Sequence, residues 1–177
     1  VNVAGIIGTL EEKQDFTAYL AYAASGAYAI NGNCAGFIEN EGMWYTDGQR
    51  SIKLYDDKNN LLKTIFASIT NITLIAVSKH YILGITYNNY VCVLDKNGTL
   101  LYTFSFGLPS YSFGAINEKS NFVELVSGQN YIIYTIEGTE ITQNNVGENI
   151  LSTISLSNGF LHVLLGSLCY CDGKVFY

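Results

Sequence analysis

The chain has 177 residues, of which 49% are hydrophobic and only 14% charged, with a net charge of −6. Nine basic side chains, Arg50 the single arginine among them, leave little with which to neutralise phosphates, so the composition argues against nucleic-acid binding. Apolar runs stay near 4–8 residues between turn signals, well short of the about 20 that a membrane-crossing helix needs, so no membrane span is expected.

The length allows one well-buried core. Polar surface must come from Asn, Ser, Thr, Gly and the fourteen tyrosines, a residue suited to half-buried strand positions. So uncharged a chain is either a β-rich core with a neutral surface or a body covered by copies of itself or by a protein partner. It begins at Val1 rather than Met, which reads as processing, trimming or a fragment, and no leader sequence is visible.

In chain order, residues 1–8 (VNVAGIIG) read as an apolar strand. Thr9 and Glu12 have capping-box spacing, which favours a helix over Leu10 to Ala24 closed by Gly26. The competing reading pairs a strand at 16–23 with one at 27–31. From about residue 33 the pattern is strands alone. A first unit runs from Cys34 through Met43–Thr46, Ser51–Tyr55 and Leu61–Phe66. The second holds Thr73–Ser78, Tyr81–Tyr87, Tyr90–Leu94 and Leu100–Phe104. The third holds Tyr111–Ile116, Asn121–Val126, Tyr131–Ile136 and a weaker Glu140–Thr142. The last holds Leu151–Leu156, Phe160–Leu165, Leu168–Cys171 and Lys174–Tyr177.

The strongest signal is a segment that occurs twice. SIKLYDDKNNLLKTI at 51–65 aligns without gaps on YVCVLDKNGTLLYTF at 90–104, an offset of 39 from Asp56 to Asp95. Each copy is a β-hairpin. The acids Asp56, Asp95, Glu137 and Asp172 mark comparable turns spaced by 39, 42 and 35 residues. Asn97-Gly98 has the composition of a tight turn with positive φ at both central residues.

Four short antiparallel strands recurring about every 40 residues are the signature of β-propeller blades. The hairpin phrase, apolar-x-apolar-Asp followed by a turn and a second apolar stretch, resembles the last two strands of blades in WD40-like and quinoprotein-like propellers. The resemblance covers roughly 33–177. The Trp-Asp and Gly-His dipeptides of WD40 repeats are absent and Trp44 is the lone tryptophan, so the resemblance implies an architecture and no cofactor. The expected fold is all-β: a propeller of four to five four-stranded blades with a short N-terminal helix, the alternative being a two-sheet β-sandwich. One domain, 1–177, would comprise an N-terminal segment or closing strand over 1–32 and repeats at about 33–70, 71–108, 109–148 and 149–177.

Catalytic chemistry finds no support, and the chain is read as a non-enzyme. His80 and His162 have no acidic or thiol neighbour at ligand spacing, so no metal is expected and both read as surface or core histidines. No Gly-x-Ser-x-Gly context occurs. Glu11–Glu12 read as helix-start charge and Asp56–Asp57 as turn chemistry, although propeller glycosidases do assemble carboxylates from distant blades. Cys34, Cys92, Cys169 and Cys171 are either buried apolar residues or, in a secreted chain, one or two disulfides of undetermined pairing. Asn71-Ile72-Thr73 and Asn97-Gly98-Thr99 are N-glycosylation acceptors in loops. Trp44, Tyr45 and Asp47 could stack on and hydrogen-bond a sugar ring, against the reading of Trp44 as a core residue.

These features favour a structural or adhesive surface protein, a self-associating propeller block of an extracellular filament, surface layer or virion. The alternatives are a glycan-binding lectin-type propeller and an intracellular WD40-like scaffold with protein partners.

Overall fold

The computed structural model describes residues 33–38, 41–46, 50–56, 58, 60–111 and 113–171, the side chains of 33–38 excepted. The first strand, the capping box, the N-terminal helix and its strand alternative, and the strand expected at Lys174–Tyr177 lie outside the described residues.

Among the described residues the structure is fifteen strands and no helix. They form antiparallel sheets in which each strand pairs with its sequence neighbour. The first sheet is β1 (Asn33–Ile38), β2 (Gly42–Thr46), β3 (Ser51–Tyr55) and β4 (Leu61–Phe66). The second is β5 (Ile72–Val77), β6 (Tyr81–Thr86), β7 (Tyr90–Asp95) and β8 (Leu100–Ser105). The third is β9 (Phe113–Asn117), β10 (Phe122–Ser127), β11 (Asn130–Thr135) and β12 (Glu140–Asn145). The fourth holds β13 (Ser152–Ser155), β14 (Phe160–Val163) and β15 (Leu168–Cys171).

Burial grades across each full sheet. The second and third strands, such as β6, β7, β10 and β11, are enclosed on both faces, which explains why VCVL and FVELV carry apolar residues without alternation. Outer strands β4, β8 and β12 are mostly exposed. That exposure explains why EITQNN reads weakly as a strand: no buried face demands an apolar alternation there.

The chain divides into two compact units, with a boundary in sequence between Phe106 and Gly107. In the earlier unit, Trp44, Ile52, Leu54 and Ile65 of the first sheet share one buried cluster with Ile72, Leu74, Ile82, Cys92 and Leu94 of the second. Gly84 permits this packing: a Cβ there would lie 2.5 Å from the Ile72 side chain and 3.0 Å from the Thr73 carbonyl. In the later unit, Val126, Tyr131 and Ile133 of the third sheet pack against Phe160 and Cys171 of the fourth. Polar ties reinforce that seam, with Asn117 Nδ2 donating to the carbonyls of Leu156 (2.6 Å) and Gly159 (2.8 Å) and Ser155 Oγ donating to that of Ile116 (2.8 Å).

The hairpin that repeats in sequence also repeats atom for atom. Asp56 Oδ1 accepts from the backbone N–H groups of Lys58 (2.9 Å) and Asn60 (2.8 Å). Asp95 Oδ1 accepts from those of Asn97 (2.8 Å) and Thr99 (2.9 Å). The third copy departs from the expectation. Its turn acceptor is Thr135, whose Oγ1 takes the N–H of Thr139 (3.2 Å), while Glu137 accepts from Asn121 Nδ2 at 2.8 and 3.1 Å. The true spacing is therefore 39 and then 40 residues, through Asp56, Asp95 and Thr135. The Asn97-Gly98 turn is also a correction: only Gly98 has positive φ, at 87°. Its N–H donates to the Asp95 carbonyl (3.1 Å), giving a type I turn followed by a left-handed glycine.

Each of these turns is followed by a bulge at an equivalent place. Leu54 pairs with Lys63 and Tyr55 with Leu61, leaving Leu62 as the extra residue. Leu101 and Ile141 are the extra residues in β8 and β12 by the same pairing arithmetic. A bulge re-aims its side chain, and these three aliphatics are 54%, 41% and 38% exposed.

The Asp56 carboxyl is held below the ordinary carboxylate range, first by the Asn60 side-chain amide and then by the Asn60 and Lys58 N–H groups. A depressed folded-state value means stability that is present above the ordinary range and lost as pH falls through the lowered value. The stability gap between wild type and Asp56→Ala should therefore be widest near neutrality and close below about pH 4. Urea titrations across pH measure it; a gap independent of pH would contradict the assignment.

Candidate functional site

The residues read as a sugar platform are placed in the core. Trp44 is 1% exposed and Tyr45 is buried, with its ring edge-on to Tyr55 at 5.6 Å; Asp47 lies outside the described residues. Lys96 Nζ covers the indole at 4.5 Å, donating also to Glu41 Oε2 (2.8 Å) and the Ser78 carbonyl (2.7 Å). Trp44 Nε1 donates to the same Glu41 oxygen at 3.2 Å. This is a lock between the hairpin turns of the first two sheets, and it corrects the stacking role: no indole face is open to a sugar.

Of the two histidines, His80 is exposed, with Tyr81 edge-on at 6.5 Å. His162 is different. It sits in β14, 0% exposed, with Nε2 2.6 Å from Glu124 Oε2 of β10, which is equally enclosed. The Tyr131 ring lies 4.5 Å from the imidazole, and its hydroxyl donates to Cys171 Sγ at 3.2 Å. Burial pushes that phenol far above its usual range. Thr153 of β13 stands directly opposite His162, and Cys169 of β15 opposite it on the other side, so the three share one sheet face.

Sequence reading missed Glu124 and Thr153. A signal for Glu124 did exist. The cross-strand partners of Trp44, Leu83 and Glu124 are Leu54, Val93 and Ile133, which step by the repeat spacing of 39 and 40. Glu124 therefore occupies the place where the first two sheets bury a large apolar side chain. With both partners fully enclosed, the pair can order two sheets against each other but offers no path for a substrate.

Cys92, Cys169 and Cys171 are thiols rather than half-cystines, and the Cys34 side chain lies outside the described ones. Burial raises the Cys92 and Cys169 thiols above their ordinary values, with the Glu148 charge adding to the effect at Cys169. Asn71 and Asn97 are both exposed. Among the described residues no three His, Cys, Asp or Glu groups are arranged to hold a metal, and no helix is long and apolar enough to cross a membrane.

Consecutive antiparallel sheets, the three four-stranded ones grading from enclosed inner strands to a solvated outer one, are the blades of a β-propeller, and comparison with solved structures shows that fold. The chain is similar to U3-55K (TM-score 0.61, 11% identity, covering 85% of this chain and 52% of that one) and to the WD40 repeats of RRP9 (0.61, 10%, 85% and 52%). It is also similar to the Pan2 WD40 domain of Neurospora crassa (0.53, 9%, 82% and 50%). The chain thus spans about half the length of each of these structures. The sandwich alternative is set aside. No family model matches the chain, and no curated protein does.

Proposed function

We propose that this chain is a protein-interaction scaffold of the WD40 type and has no catalytic role. The observation that carries the reading is the recurring bulge, which turns one aliphatic side chain outward at the same place in three outer strands: Leu62, Leu101 and Ile141. A soluble sheet gains nothing for its own core from such residues, whereas a partner surface does. Propeller neighbours of the WD40 class support the same reading.

The test is the triple variant L62S/L101S/I141S. Its unfolding midpoint should stay close to wild type, because surface changes of this kind are usually worth within about 0.5 kcal/mol each. Its affinity for partners isolated with wild-type bait should fall by about tenfold or more. A correctly folded triple variant that keeps every partner would remove the proposal.

A second reading, a building block outside the cell, draws on the exposure of both acceptor asparagines, Asn71 and Asn97. It predicts glycan at those residues in material from the native source and a mass in solution above that of one chain. A deglycosylation shift of zero together with a monomer would end it.

A further inference from the structure

We propose that the seam between the third and fourth sheets is an internal hydration site, holding at least one water bound by Glu124 Oε1, Thr153 Oγ1 and His162 Nδ1. The close contact between Glu124 Oε2 and His162 Nε2 uses one polar atom of each side chain. The second atom of each, and the Thr153 hydroxyl, are enclosed and bond to no protein group. Buried polar atoms in native proteins are satisfied in the large majority of cases, and leaving one bare costs more than immobilising a water. Three such atoms on facing positions of two sheets make a polar site inside an otherwise apolar contact.

The geometry brings them together. Thr153 and His162 are directly opposed in register and leave the fourth sheet on the same face. Glu124 reaches the imidazole from the third sheet, at the blade position where the earlier unit carries Trp44 and Leu83. The ligand must suit all three atoms. An ionised Oε1 only accepts, the hydroxyl does both, and Nδ1 donates or accepts according to the protonation of the ring. Water alone of the common small species can answer each of these demands without change. A cation does not fit, because among the described residues Glu124 and His162 are not part of any group of three His, Cys, Asp or Glu side chains arranged to hold one.

The experiment uses the isotope-labelled chain and water-to-protein cross-relaxation, read at the His162 ring proton between its two nitrogens and at the Thr153 methyl. A long-lived water at both is the expected result in wild type. In E124L/H162L, which closes the seam with apolar groups, the signal at the Thr153 methyl should disappear. A wild-type chain showing no water contact at either proton overturns the proposal, as does a high-resolution crystal structure in which the three atoms are enclosed and dry. Persistence of the Thr153 signal in the double variant overturns it equally.

Discussion

Replacing Glu124 alone with leucine should destabilise the protein by about 3–5 kcal/mol, whereas E124L/H162L should recover most of that loss. The asymmetry follows from the enclosure of both partners, each 0% exposed. Removing Glu124 leaves His162 Nε2 enclosed without its partner, a loss that the apolar Val126, Ile133 and Phe160 of the same seam cannot make good. Removing both trades a polar contact for the kind of packing that Leu83 makes at the equivalent place. Urea unfolding followed by far-UV circular dichroism reads the cycle as midpoints, with the slope kept constant across variants. Additive losses in the double variant would show that the two residues act independently and that the contact is not a pair.

Trp44→Ala should cost about 3–5 kcal/mol, the range for emptying a core of a large aromatic. The indole is the largest fully buried side chain in the cluster that joins the first and second sheets. It also forms the floor on which Lys96 rests. Lys96→Met removes the cation over the ring and its bond to Glu41 while keeping the aliphatic stem, so its cost should be far smaller, about 0.5–2 kcal/mol. A Lys96→Met loss as large as that of Trp44→Ala would show that the ammonium, not the indole, organises the contact. The same geometry predicts that the fluorescence of this lone tryptophan does not respond to monosaccharides at millimolar concentration. A saturable change would return Trp44 to the list of binding residues.

Much of the fold was legible because one hairpin is written into the chain repeatedly, with a side-chain acceptor at the strand end and apolar strands on either side. Glu137 misled because it looks like the turn acids Asp56 and Asp95. What the turn requires is a side-chain oxygen four residues before the amide that closes it, and in the third copy the Thr135 hydroxyl supplies it to Thr139. Asn97 suggested the wrong turn for a related reason: the Asp95 carboxylate already fixes the loop, so only Gly98 takes the left-handed conformation. The candidate site was legible only in half. An acid inside the apolar run Phe122–Val126 stands out once the repeat spacing is known. Its partner His162 does not, because the two are 38 residues apart and meet only when one sheet is laid on the next.

The bulges beside the turns separate two demands that most β-proteins must satisfy with the same residues. An outer strand that stayed flat would offer a continuous row of N–H and C=O groups to any other chain; the interrupted ladder at Leu62, Leu101 and Ile141 spoils that template. The same interruption places a side chain whose identity the interior does not constrain. On the proposed scaffold role, mutation at these three equivalent addresses would change recognition chemistry while leaving foldability intact, so that partner preference would evolve without being tied to the integrity of the blades.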